Sequence, residues 1–310
     1  MNPVRGRLRR FWFGLQTVSG LRKRGYFAPS LQAVHADAAV CRSPLLDACF
    51  AARAAAMRDW LARLDAYAAA LRAIGQDGPS APRWTQDWFP RLDAAIAYAM
   101  IRSRRPRRIV EIGSGHSTRF FCRAAQDEAL DTDILSIDPA PRACIAGLPR
   151  LRTLQSPVQQ AGLAPFRALR AGDILSIDSG HVLMPGNDVD FLLNAVLPIL
   201  PAGVLVHFHD IFLPDPYPET WSWRGYNEQS AVALLIVQAG WRIEFASHYA
   251  VTRFGDAVAR SAAGALTLLP SAFEASLWLR SRGGGEQTAA SPGEEQMSED
   301  RPSCSRVRKP

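Results

Sequence analysis

From residue 107 onward, short apolar runs alternate with longer stretches of helical spacing. Runs of strand length fall at Arg108–Ile112, Ile134–Asp138, Asp173–Asp178, Val204–His209 and Arg242–Ser247, with a further one at Ala275–Leu279. Between them, residues of about 117–129, 188–200 and 227–239 place apolar side chains on one helical face. This alternation predicts a parallel sheet covered on both faces, a Rossmann-like α/β domain over residues 91–282. Leu92–Ile101 reads as a short amphipathic helix stopped by Pro106. Upstream, Leu45, Cys49, Ala56, Trp60, Leu64, Tyr67 and Leu71 recur at roughly helical spacing. One or two helices are expected within 30–75, then a Gly- and Pro-containing linker over 76–90. Residues 29–90 thus form a helical extension, 1–28 a basic arm, and 283–310 a disordered tail by composition.

The decapeptide at 109–118, IVEIGSGHST, is the most informative stretch. An apolar strand ends at Ile112, Gly113-Ser114-Gly115 makes a tight turn, and Ser117 or Thr118 opens a helix. Such a turn offers free backbone N–H groups to a ligand. Asp138 ends the next strand and is placed to accept the ribose hydroxyls of a nucleoside cofactor. A dinucleotide fingerprint requires glycine at position 118, which is Thr. Two glycines preceded by Glu111 suit the smaller, cationic methionine end of S-adenosylmethionine.

On these residues the chain resembles class I S-adenosylmethionine-dependent methyltransferases of the family 24 type. Residues 88–118 carry the resemblance, and the stretch 173–218, with GDILSIDSGHV, LPILPAG and VLVHFHDIFLPDPYP, extends it. It covers about residues 85–282. It implies a seven-stranded, mostly parallel sheet with an antiparallel last strand. It also implies Glu111, Gly113, Gly115 and Asp138 as cofactor contacts, with Ser114 inside the same turn.

Four of the six histidines lie in the glycine turn or near the ends of later strands: His116, His181, His207 and His209. Asp178 and Asp210 accompany them, and ligands of open α/β sheets bind at such strand ends. The metal-dependent O-methyltransferases of the catechol and macrolide-sugar kinds look similar here. By that resemblance Asp178, His209 and Asp210 would hold Mg²⁺ or Mn²⁺, and His181, with Asp178 beside it, would act as general base. This chain has His209 where a carboxylate or amide is usual. Blander roles are expected for the other polar groups: packing or a neighbour's hydrogen bond for His207, a backbone carbonyl for His116, a helix N-cap for Asp188. The long loop 212–229 carries Tyr217, Trp221, Trp223 and Tyr226, aromatics suited to walling an acceptor pocket. Asn227-Glu228-Gln229 either faces the site or caps the following helix. Trp84, Trp88 and Phe89 either close the pocket or form a seam beneath the N-terminal helices.

Charge narrows the partners. The net charge of +7 matches the seven basic residues of the first 25, Arg5, Arg7, Arg9, Arg10, Arg22, Lys23 and Arg24, with no acid among them. The remainder is near neutral, so a nucleic-acid partner is not expected. The aromatics at Phe11–Phe13 make residues 1–25 compatible with peripheral contact at an anionic membrane surface, or with a simple solvated arm. The five cysteines form no CxxC pair, which argues against zinc and disulfides and for a reducing, cytoplasmic setting. The expected activity is methyl transfer from S-adenosylmethionine to an oxygen of a small-molecule or sugar acceptor. Two other readings stand beside it: an iron-dependent hydroxylase-like enzyme on the same scaffold, and a non-catalytic cofactor-binding module docking through its basic N-terminus.

Overall fold

The computed structural model describes residues 3–25, 43–75, 78 and 80–283. The tail expected to be disordered lies, from residue 284, outside the described residues, as do residues 26–42, the end of the expected arm and the start of the helical extension. In chain order the helices before the sheet are α1 (Pro3–Val18), α2 (Pro44–Ala51), α3 (Ala54–Arg63), α4 (Ala68–Ala73) and α5 (Arg91–Arg104). Then follow β1 (Arg108–Ile112), α6 (His116–Asp127), β2 (Asp133–Ile137), β3 (Leu151–Leu154), α7 (Val158–Ala161), α8 (Ala164–Arg167), β4 (Ile174–Ile177) and α9 (Asp188–Phe191). The last elements are β5 (Leu205–Phe208), α10 (Glu228–Val237), β6 (Arg242–Ala246), α11 (Ser247–Arg253), α12 (Gly255–Arg260) and β7 (Leu277–Arg280).

The seven strands form one sheet in the order β3-β2-β1-β4-β5-β7-β6. β3, β2, β1, β4 and β5 pair in parallel, and β7 lies antiparallel between β5 and β6. The central strands are buried from Ile109, Ile174 and Leu205 onward, as mainly Ile, Leu and Val runs require when helices cover both faces. β3 was not foreseen. Its LRTL sequence lies mostly exposed at the sheet edge, where Arg152 pairs with Asp133 of β2, so no apolar run marks it.

Two helices depart from their sequence patterns. α5 was expected to be amphipathic, yet Leu92–Ile101 is buried on every side, Asp93 included. Its start is stitched to the approach of β7: Glu274 accepts from the Leu92 N–H and pairs with Arg91 at 2.8 Å, while Asp93 accepts from Ala275 and Ser276 at 3.0 Å each. It ends where Arg105 turns left-handed, just before Pro106. The stretch 188–200 is not one regular helix. α9 widens into a π turn at Leu192–Val196 and tightens to a 3₁₀ turn at Leu197–Ile199, because Pro198 has no N–H to continue an α pattern.

The N-terminal extension shares the sheet's core. Phe50, Met57, Trp60, Leu61, Leu64 and Leu71 belong to the same buried cluster as the strands. The expected linker is anchored too: Trp84 donates to the Leu71 carbonyl at 3.1 Å, and Gln86 accepts from Trp88 and Phe89. Residues 3–18, read as an arm, form a helix. Among the described residues no helix is long and apolar enough to cross a membrane.

Candidate active site

The turn from β1 into α6 is held from three sides. Gly113 sits at φ 77°, and a Cβ there would lie 2.1 Å from the backbone oxygen of Asp178. The glycine is therefore demanded first by the close approach of the end of β4, not by space for a ligand. Asp138 accepts from the Ser114 N–H at 2.6 Å, the Ser114 hydroxyl at 2.9 Å and the Ala140 N–H at 2.7 Å, so its carboxylate clamps the turn. Glu111, expected as a cofactor contact, is engaged within the chain. It is fully buried, and its two oxygens are hydrogen-bonded to the Ser117 and Thr118 hydroxyls at 2.6 Å each, bracing the start of α6 against the end of β1. Burial pushes its pKa up to about 8, against the pull of those two hydroxyls. α6 begins at His116, one residue before the expected start, with Gly115 as its cap and the Thr118 hydroxyl accepting from Gly115 at 3.0 Å.

Beside the turn, the carboxyl ends of β4 and β5 bring four predicted residues together. Asp178 Oδ1 lies 3.1 Å from His181 Nε2 and 3.7 Å from His209 Nδ1. Asp210 lies 3.6 Å from His181 Nε2 through Oδ2 and 3.5 Å from His209 Nδ1 through Oδ1. His181 and Asp210 both hold left-handed backbone, φ 57° and 56°, an uncommon and costly conformation for residues with a Cβ and one that gathers at functional sites.

Two further carboxylates close the cluster from behind. Glu228, at the first turn of α10, places Oε2 2.9 Å from His181 Nδ1, and the His181 carbonyl accepts from the Asn227 and Glu228 N–H groups. The open choice for 227–229 thus resolves residue by residue. Glu228 faces the cluster, Asn227 ties to Leu183, and Gln229 holds Phe212 and Asp215. Asp93 of α5 stands 3.5 Å from His209 Nε2. Nothing in the periodic pattern announced Asp93, although it is the single acid within an apolar helical run and so a buried charge in need of a partner.

The electrostatics bear on the role expected of His181. Burial would lower its pKa, but Asp178, Glu228 and Asp210 outweigh that and hold it well above the ordinary histidine value. Without a bound cation, both ring nitrogens face carboxylates and protonation is favoured; acting as a base or as a ligand through Nε2 requires that nitrogen to be free of its proton. His209 is likewise raised, burial being overcome by Asp210, Asp178 and Asp93. Asp178 is held well below the carboxylate range: burial opposes this, and the two histidines prevail. Geometry also regroups the expected metal ligands. The atoms of Asp178, His181 and Asp210 lie within 4.8 Å of one another, which adds His181 to the expected set, while His209 Nδ1 stands 3.7 Å from Asp178 and 3.5 Å from Asp210 with its other nitrogen turned to Asp93.

The remaining expectations divide. His207 is buried between the Ser176 and Ser276 hydroxyls, 2.8 Å from each, and stacks on Trp278; burial lowers its pKa to about 3. His116 finds no backbone carbonyl at Nδ1, which is buried without a partner. Asn187 rather than Asp188 caps α9, and Asp188 instead accepts from the Gly180 N–H. Tyr226 lies over the His181 ring at 4.6 Å, joined to Tyr217 and Trp221, while Trp223 packs elsewhere, against Gly6 of α1. Phe89 reaches His209 at 5.5 Å. Trp84 packs on Phe120, and Trp88 is exposed. A cavity of about 480 Å³ alongside α6, lined by Ser80, Pro82, Arg119, Arg123, Asp127 and Leu148 among others, shares no residue with the cluster.

A sheet of this strand order, with a glycine turn after β1 and an acid ending β2, defines a Rossmann-like fold of the class I methyltransferase type. Residues 110–211, from β1 to the residue after Asp210, match the family model of a methyltransferase domain, Methyltransf_24. Over those residues, about a third of its length, the chain is similar to that methyltransferase domain. No curated protein sequence matches it. Among solved structures it is similar to the SAH-bound Podospora anserina methyltransferase PaMTH1, at 18% identity and a TM-score of 0.37 over 83% of this chain and 99% of that one. It is also similar to CmcI in its apo form, at 16% identity and a TM-score of 0.35 over 53% and 76% of the two chains. A third is the plantazolicin methyltransferase BpumL in complex with a monoazolic desmethylPZN analog and SAH, at 13% identity and a TM-score of 0.36 over 77% and 100%. These likenesses are distant, and the assignment rests on the family match together with the strand order.

Proposed function

We propose that the chain methylates an oxygen of a small-molecule acceptor, with a divalent cation at Asp178, His181 and Asp210. The observation that supports this most is the contact between the two halves of the site. The backbone oxygen of Asp178, the residue that heads the strand-end cluster, lies where a Cβ of Gly113 would be, so the cofactor turn and the cluster share a wall. A methyl donor held at the turn and an acceptor held at the cluster would be neighbours, and the in-line approach that methyl transfer requires is chiefly a matter of positioning.

Asp138 is placed to take the ribose hydroxyls, Gly113, Ser114 and Gly115 line the methionine end, and Glu111 keeps that turn in shape. Two carboxylates and one imidazole fit a divalent cation, and the nitrogen favours Mn²⁺ over Mg²⁺. Such a cation, when bound, lowers the pKa of an acceptor hydroxyl. Glu228 fixes the His181 ring by its bond to Nδ1, directing Nε2 toward Asp178 and Asp210. Tyr226 roofs the His181 ring and limits water at the acceptor side.

Calorimetric titration with S-adenosylhomocysteine, alone and with Mn²⁺ or Mg²⁺, tests the reading. Micromolar cofactor binding is expected, with a metal heat that disappears in Asp178→Ala while cofactor affinity stays. A metal heat that survives Asp178→Ala overturns the cation site. Absence of cofactor binding by folded protein overturns the placement of the donor.

A further inference from the structure

α1 is an amphipathic helix that presents its apolar side outward. Its inner side is small and polar: Gly6 is buried, and Gln16 and Thr17 are partly so beside Phe13. A Cβ at Gly6 would lie 3.1 Å from the Trp223 ring, and Arg10 reaches the Ser222 carbonyl at 3.4 Å. The outer side carries Leu8, Phe11, Trp12, Leu15 and Val18, all 47–70% exposed. Their i, i+3, i+4, i+7 spacing makes one continuous stripe. Of the twelve large apolar side chains exposed among the described residues, six fall between Leu8 and Leu21. Five of those twelve lie on α1 itself, and a contiguous exposed apolar stripe of this kind marks an interaction surface.

The charge of the segment identifies the partner's chemistry. Residues 1–25 hold seven cations and no acid, and Arg9, Arg10, Arg22, Lys23 and Arg24 are exposed. A second copy of the stripe would bring two such cationic sets together, which is repulsive. Sixteen helical residues do not span a bilayer. An apolar stripe within a cationic segment matches a helix lying in the plane of an anionic membrane, its apolar side among the acyl chains and its cations at the headgroups.

We infer that α1 is a docking helix for anionic lipid bilayers. Because α1 packs on the turn at Glu219–Arg224, next to the Tyr226 that covers His181, docking brings the aromatic cover of the site to the membrane surface.

The test is co-sedimentation of the full chain with vesicles of phosphatidylcholine containing phosphatidylglycerol, beside vesicles of phosphatidylcholine alone. Binding to the anionic vesicles, weakened by salt, is expected, and Phe11→Ser/Trp12→Ser/Leu15→Ser should weaken it at least about tenfold. Unchanged thermal unfolding of the triple variant certifies its fold, independently of any cofactor. Three results overturn the inference: no binding of the wild-type chain, equal binding of the triple variant, or equal binding to both vesicle types. A wild-type dimer that the triple variant loses in the absence of lipid also overturns it, assigning the stripe to a second copy.

Discussion

Replacing Asp93 tests the link between the buried helix α5 and the strand-end cluster. Its side chain has no exposure, and each carboxylate oxygen accepts one backbone N–H, from Ala275 and from Ser276, at 3.0 Å. The same carboxylate faces His209 Nε2 at 3.5 Å, which has no hydrogen-bond partner of its own. Asp93→Ala strands two buried donors, at about 1–3 kcal/mol each. It also removes a counter-charge from a buried imidazolium, and breaking a buried pair by deleting one partner costs about 3–5 kcal/mol. The terms overlap, so the expected loss is about 4 kcal/mol for Ala. Asp93→Asn keeps one acceptor but turns an NH₂ toward the second donor, for a loss of about 2–3 kcal/mol. Urea unfolding followed by tryptophan fluorescence measures both. His209 is held well above its ordinary pKa partly by Asp93, so its titration, followed by NMR, should move down in either variant. Stability within about 1 kcal/mol of wild type for Asp93→Ala would refute the reasoning, because neither the donors nor the imidazolium could then depend on this carboxylate.

Gly113→Ala should cost more than about 2 kcal/mol of stability even without cofactor, since it meets the Asp178 carbonyl and adds a Cβ at positive φ; a variant as stable as wild type that merely binds S-adenosylhomocysteine less well would place the demand in the ligand instead. Glu111 keeps its proton in the folded chain up to about pH 8, whereas the unfolded chain releases it near 4.5. The unfolded state then binds fewer protons between those values, so wild-type stability should fall relative to Glu111→Gln by about 1.4 kcal/mol per pH unit as pH rises through that window. Parallel stability profiles of the two proteins from pH 5 to pH 8 would contradict this. Glu228→Gln preserves shape but exchanges a charge-assisted bond for a neutral one, so the His181 pKa should drop by about one unit with about 1–2 kcal/mol of stability lost; an unmoved His181 titration would show that Asp178 and Asp210 suffice.

Six of the seven strands were legible because each is a largely apolar run of strand length. The glycine turn was legible because only a small set of residue types permits it. β3 was hidden because an edge strand with three exposed residues needs no apolar pattern. α1 was hidden because its apolar stripe is partnered by nothing within the described chain, so it read as a charged arm.

Asp178, His181, His209 and Asp210 were chosen as a group from their places at strand ends, and chain order alone brings those ends together in a parallel sheet. What each does depends on partners remote in sequence. The His181 ring is fixed by Glu228, 47 residues on, and His209 faces Asp93 of α5, an element that precedes the whole sheet in the chain. Glu111 is engaged by the two hydroxyls of Ser117 and Thr118, at the start of the next helix. Periodicity and short motifs are local, so they determine elements and the order in which a sheet gathers them. Protonation and ligand grouping are set by distance and burial, and those exist only once the chain has packed.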